Sequence, residues 1–192
     1  MYTKQNKKEL IMNAAQRLFA KYGLNKTTMD EIAKDAHVGK GTIYHYFDSK
    51  EHVFYAIIQK EVYILKSKIL QAVKQAKTPQ EKLKAFASTR LKEILELVNF
   101  HKLTQEAVDI LQPQVEKALE KYRQEELRIV EGIIKEGIRK KVFENLNAKL
   151  SAFALMSVFR NLEFPWLIGK KAYDVEEKVD FMLRIYLKGM EV

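Results

Sequence analysis

Apolar residues recur along nearly the whole chain at steps of three and four, the spacing that gathers them on one face of an α-helix. Leu10, Ile11, Ala14, Ala15, Leu18 and Phe19 mark a first helix over residues 7–22, closed by Gly23. Thr28 and Glu31 have the spacing of a capping box: the threonine oxygen accepts from the Glu31 N–H, and the glutamate accepts from the Thr28 N–H. The helix they open is short, because Val38-Gly39 follows soon after. A third helix is expected from Lys40 to Phe47. Asp48, with Glu51 three residues on, is expected to cap a fourth that continues to about Ala76. Thr78-Pro79-Gln80-Glu81 starts another, to about Phe100, with proline where its missing N–H costs nothing. A short piece from His101 to Leu111 is expected to stop at Gln112-Pro113, and Pro113 to open a long amphipathic helix to about Lys140. Asn145 and Asn147 punctuate. Leu150 to Trp166 is apolar on more than one face, and Asp174 is expected to cap a last helix ending near Gly189. Nothing alternates as a strand would, so the expectation is an all-α fold of about nine helices.

The short helices crowd into residues 23–50 and the later ones lengthen. That shift predicts an N-terminal three-helix unit over residues 1–50 and a helical bundle over 51–192. The chain has no cysteine, which removes disulfide frameworks, thiolate zinc sites and cysteine nucleophiles together and fits a reducing compartment. Its formal net charge of +9 suits an anionic partner. Residues 1–50 hold 9 Lys/Arg against 5 Asp/Glu, the denser cationic region. The longest apolar run, Ala152 to Phe159, is far short of the ~20 residues that span a bilayer. The first apolar stretch is broken by Asn13, Gln16 and Arg17, which no signal-peptide core would tolerate. A cytoplasmic protein without a membrane partner is expected.

Candidate chemistry concentrates between Thr28 and Phe47. Ile32, Ala33 and Ala36 face a core on the first short helix, Val38 plugs the turn, and Gly39 and Gly41 let the backbone turn and approach another surface. On the second, Ile43 and Phe47 point inward at i and i+4. Lys40, Thr42, Tyr44, His45 and Tyr46 remain on the other faces, and a plain solvated face would not gather two tyrosines and a histidine there. In a major groove, phenol and imidazole groups donate to phosphates, lysine reaches guanine acceptors and threonine meets a thymine methyl. Thr27 and Thr28 are expected to grip a phosphate at a helix N-terminus, and Lys50 to lie beside the groove wall. Lys4, Lys7 and Lys8 either fray in solvent or form an arm on the phosphates.

These residues carry a resemblance. Thr27-Thr28 followed by Ile32-Ala33, then Val38-Gly-Lys-Gly-Thr-Ile-Tyr-His-Tyr-Phe47 and Asp48-Ser-Lys-Glu51, resemble the DNA-binding domain of TetR-type bacterial transcriptional regulators, over residues 7–55. The resemblance implies a helix-turn-helix DNA-binding domain, a C-terminal effector and dimerisation bundle, a homodimer on a two-fold symmetric operator, and a ligand that moves the fourth helix. It implies double-stranded operator DNA, a small-molecule effector and a second copy of the chain as partners. His37 stands where the family often has glycine. Beyond residue 55 only architecture matches.

Other chemistries fit less well. Gly39-Lys40-Gly41-Thr42 lacks the upstream glycine of a phosphate loop, since Lys34 and Ala36 occupy the required spots. His45, Asp48 and His52 flank a helix break without metal-ligand spacing, so no metal is expected. No nucleophile elbow or carboxylate pair suggests an enzyme, and no cofactor is expected. An adaptor or carrier that is merely basic is the competing class. Phe86, Phe100, His101, Phe153, Met156, Phe159 and Trp166 are either ordinary core or the lining of a pocket for a largely apolar effector. The helices around 148–166 and 174–188, apolar beyond one stripe, are expected to join two subunits through an isologous four-helix contact.

Overall fold

A computed structural model describes residues 4–96, 105–167 and 175–192. Among these are eight α-helices: α1 (Lys4–Tyr22), α2 (Met29–Asp35), α3 (Lys40–Tyr46), α4 (Lys50–Gln75), α5 (Pro79–Glu96), α6 (Gln105–Arg139), α7 (Ala148–Leu167) and α8 (Val175–Lys188). The described residues contain no strand, only an isolated bridge between Phe143 and Glu191. The count falls one short of the expectation because α6 runs unbroken through Pro113. A proline removes one N–H from the ladder, a small loss in a helix of 35 residues. Asp174, the expected cap of α8, lies outside the described residues.

The chain divides into two compact units, residues 1–62 with 98–119 and residues 63–97 with 120–192. The boundary expected near Lys50 coincides with the start of α4, inside the first unit.

In the first unit, α2 packs on α1 and α3 on α2. Ile11, Ala14, Ala15 and Phe19 meet Ile32, Ala33, Ile43, Phe47, Val53, Phe54 and Ile58 in one buried cluster. Gly23 ends α1 at φ 83°, a left-handed conformation that glycine adopts without strain, and its N–H donates to Phe19 O at 2.9 Å. The capping box forms as the spacing predicts, with Glu31 N–H donating to Thr28 Oγ1 at 3.3 Å and Thr28 N–H to Glu31 Oε2 at 2.8 Å. The Thr28 N–H and hydroxyl, both donating to Oε2, hold the Glu31 carboxyl below its usual range. Two local details differ from expectation. The left-handed residue of the α2–α3 turn is His37 at φ 53°, whereas Gly39 is extended at φ −69° and makes an ordinary N-cap. Ser49, not Asp48, caps α4, its Oγ accepting from His52 N–H at 3.2 Å; Asp48 instead faces the His52 ring at 3.4 Å.

Glu61, on α4, lies against α1, where Gln16 Nε2 donates to its Oε1 at 2.8 Å. Its Oε2 is buried with no hydrogen-bond partner, and burial pushes the carboxyl up to about 7 against the opposing pull of Lys60 and Gln16. The folded chain therefore binds this proton more tightly than the unfolded chain does, so stability should fall as pH rises from about 4.5 to 7 and then level off. Glu61→Gln is expected to flatten that slope in melting temperatures taken across pH 4.5–8; an unchanged slope would assign it to other groups.

In the second unit, α8 packs against α5 and α7, and Tyr186 OH donates to Ser151 O at 2.7 Å. Thr78 and Glu81 close the second predicted capping box, with bonds of 3.1 and 3.2 Å. Leu83, Phe86, Val130, Ile134, Ala152, Leu155, Phe159 and Leu183 form its interior. Beyond α6, Lys141 takes φ 57° and the chain folds back so that Phe143 covers Gly137.

Candidate nucleic-acid interface

The α3 helix has seven residues, and its two sides have different fates. Ile43 and the following Phe47 are 0% and 1% exposed, locked against α1, α2 and α4. Lys40, Gly41, Tyr44 and His45 are exposed, Tyr44 at 45%. Thr42 is half-buried, and Tyr46 is half-buried with its body packed against the core cluster. The His45 and Tyr46 rings meet edge to face at 5.2 Å. A Cβ on Gly41 would meet nothing within 4 Å, so the protein's own packing does not require glycine there. Its bareness leaves backbone open to close approach from outside.

Lys40 Nζ pairs with Asp30 Oδ2 of α2 at 2.8 Å, with both side chains well exposed. Such a solvent-screened pair is weak, and it holds the ammonium at the edge of the exposed face. The pairing raises the Lys40 pKa through the Asp30 hydrogen bond and charge.

The other expected contacts are placed differently. Thr27 is 1% exposed and its Oγ1 donates to Gly23 O at 2.9 Å, so its side chain closes the α1–α2 turn rather than gripping a phosphate. Thr28 is exposed but committed to the capping box. Lys50 Nζ donates to the carbonyls of Leu24, Asn25 and Thr27 at 2.9, 3.1 and 3.1 Å. A cation in the first turn of a helix is electrostatically disfavoured, and three converging carbonyls offset that cost. Lys50→Met is therefore expected to lower the melting temperature while leaving the salt slope of DNA binding unchanged. A slope reduced by about one would restore the phosphate role.

The pocket candidates also separate. Phe86, Met156 and Phe159 are each buried, with the Phe86 and Phe159 rings 6.4 Å apart. Phe153 is 54% exposed, so it is not buried with them. It lies on an exposed position of a helix that is apolar on more than one face, so spacing alone does not tell the faces apart. Phe100 and His101 lie outside the described residues, as does the side chain of Trp166.

Residues 11–57 match the family profile of bacterial regulatory proteins of the tetR family, and residues 76–164 match the tetracyclin repressor-like C-terminal domain. An uncharacterized HTH-type transcriptional regulator of Bacillus subtilis is 30% identical over 96% of this chain and 97% of its own length. The chain belongs to the TetR family of transcriptional regulators.

Two further comparisons agree with that family membership. The fatty acid metabolism regulator protein of Bacillus subtilis is 25% identical over 99% of this chain and 98% of its own. The crystal structure of a transcriptional regulator from Cytophaga hutchinsonii is 31% identical with a TM-score of 0.80, covering 96% of this chain and 98% of that one. TetR-family regulators are not enzymes; they dimerise, bind operator DNA and respond to small molecules. Among the described residues no helix is long and apolar enough to cross a membrane, and no group of three or more His, Asp or Glu could hold a metal.

One constellation in this TetR-family regulator escaped the sequence reading. Arg90 of α5 is 4% exposed and its Nε donates to Glu126 Oε1 of α6 at 2.5 Å. Tyr122 OH donates to the same oxygen at 2.6 Å. The Arg90 guanidinium lies over the Phe159 ring, 5.7 Å from its centroid. A signal was available: Arg90 continues the apolar stripe of Leu83, Phe86 and Ala87, and Glu126 stands between Tyr122 and Val130 on the buried side of α6.

Proposed function

We propose that this regulator is a homodimeric, ligand-responsive repressor, with residues 1–50 as its DNA-binding domain and 51–192 as its effector and dimerisation domain. Lys40, Gly41, Thr42, Tyr44, His45 and Tyr46 enter the major groove of a two-fold symmetric operator, with half-sites about 34 Å apart. One observation carries the reading: α3 is fixed to the core through Ile43 and Phe47 and turns exposed polar and aromatic groups to solvent. The rest of its surface chemistry follows from that anchoring, because a helix held from behind presents a rigid face.

Dimerisation runs through α7 and α8. Leu150, Phe153 and Val158 of α7 are 64%, 54% and 40% exposed, and Phe181 and Ile185 of α8 are 57% and 58% exposed. Exposed apolar residues grouped on neighbouring helices mark a contact surface, and an isologous pair of such helices makes a four-helix seam. The effector is a small, largely apolar molecule held near Phe86, Met156 and Phe159. The relative named for fatty acid metabolism supports that chemistry. A coupling of about 1–3 kcal/mol between effector and operator is enough for 5–150-fold release. The protein acts in the cytoplasm, where the operator is.

Tyr44→Ala tests the DNA face. Duplex binding by fluorescence anisotropy should weaken about tenfold or more, with the circular dichroism spectrum unchanged. Unchanged affinity would remove Tyr44 from the interface.

A further inference from the structure

The buried Arg90–Glu126 ion pair in the second unit is not explained by stability alone. Replacing such a pair with apolar residues of similar volume is often neutral or stabilising, because both charges must be stripped of water. Here the Arg90 guanidinium lies over Phe159, whose ring packs on Phe86, and both phenylalanines are 2% exposed or less. Its bonding is also lopsided. Arg90 Nε and Tyr122 OH both donate to Glu126 Oε1, whereas no hydrogen-bond partner meets the buried Oε2 among the described residues. Glu126 is 1% exposed, so bulk water does not serve that oxygen. A buried acceptor left in this state is costly, and its placement needs a reason.

We propose that Glu126 Oε2 is the polar recognition point of the effector, and that the effector is an apolar molecule carrying a hydrogen-bond donor, either a hydroxyl or an amide N–H. The proposal rests on the reading of this unit as the effector bundle. An ionised carboxylate accepts hydrogen bonds and cannot donate one. Ethers and hydrocarbons therefore leave Oε2 unmet, and a carboxylate head meets like charge. Arg90 and Tyr122 act as positioning residues: they hold Oε1 from two sides and so fix the direction of Oε2. Burial and the Glu126 charge push the Tyr122 phenol well above its ordinary pKa, so it remains a donor to Oε1. Phe159, under the Arg90 guanidinium, and Phe86 packed on it supply apolar surface beside the pair.

Isothermal titration of the full-length protein with 1-decanol, decyl methyl ether and decanoate tests the proposal. Decanol is expected to bind at least about tenfold more tightly than the ether or the carboxylate. The triple variant Arg90→Met, Glu126→Leu, Tyr122→Phe keeps an apolar core of similar volume and should bind decanol and the ether within about twofold of each other. Tyr122→Phe alone removes one of the two groups that hold Oε1 and should reduce the preference for decanol without abolishing it. Equal affinities in the native protein, no binding of any decyl compound, or a preference that survives the triple substitution would each overturn the proposal. Duplex binding without additives tests the regulator reading separately, so its failure is distinguishable from failure of the decanol preference.

Discussion

Phe153→Glu combined with Phe181→Glu is expected to convert the protein to monomers and to weaken operator binding at least about 100-fold. Both rings are more than half exposed, one on α7 and one on α8. Neither contributes to the interior of its own subunit, so the substitutions should leave the helices intact. At a two-fold seam each change is repeated by symmetry. Four carboxylates would then be brought together in an apolar contact, where desolvation and like-charge repulsion act in the same direction. The loss of DNA affinity follows from connectivity. Two reading heads joined in one dimer bind as a bivalent unit, and severing the link forfeits the roughly 10²–10⁴ that bivalency contributes. Light scattering reads the assembly state and anisotropy reads the affinity. A dimer that persists through both substitutions would move the interface elsewhere.

Gly137→Ala should be strongly destabilising for a single added methyl. A Cβ at this position would sit 2.0 Å from Phe143 Cδ2 and 2.4 Å from Cε2, well inside contact distance. The ring cannot retreat easily, because Phe143 is 2% exposed and its backbone is tied on both sides. Val142 and Phe143 N–H both donate to Gly137 O at 3.1 and 3.3 Å, and Glu144 N–H donates to Met190 O at 2.8 Å. Overpacking of this kind costs about 3 kcal/mol, or roughly 6–12 °C in melting temperature for a chain of this size. Adding Phe143→Leu should recover part of the loss, since the smaller side chain makes room for the methyl. A melting temperature unmoved by Gly137→Ala would mean that the ring does not cover this glycine.

Much of this architecture is readable from the amino-acid order because its signals are local. The capping boxes at Thr28 and Thr78, the glycine after α1 and the proline at the start of α5 each act within four residues. Core positions on α1 to α4 follow helical spacing and form the cluster expected of them. What spacing does not reveal is the partner of a charged side chain. Lys50 meets carbonyls 23 to 26 residues earlier, and Arg90 meets a carboxylate 36 residues later. A lysine beside a DNA-binding motif reads as a phosphate contact until the turn that captures it is seen. Pro113 misleads in another way, since a helix long enough on both sides absorbs the one bond that proline removes. Phe153 shows the limit of counting aromatics: composition assigns it to an interior, whereas rotation about α7 places it outside.

The bridge between Phe143 and Glu191, with the Glu144–Met190 hydrogen bond beside it, has a consequence for biosynthesis. The buried cluster beneath α3 is drawn from residues 11–58 and can close early. The second unit, in contrast, joins residues 143 and 144 to 190 and 191, a contact that cannot form until these have left the ribosome. The cluster of residues 11–58 is therefore expected to close before the second unit is complete, an order that proteolysis of stalled chains would reveal.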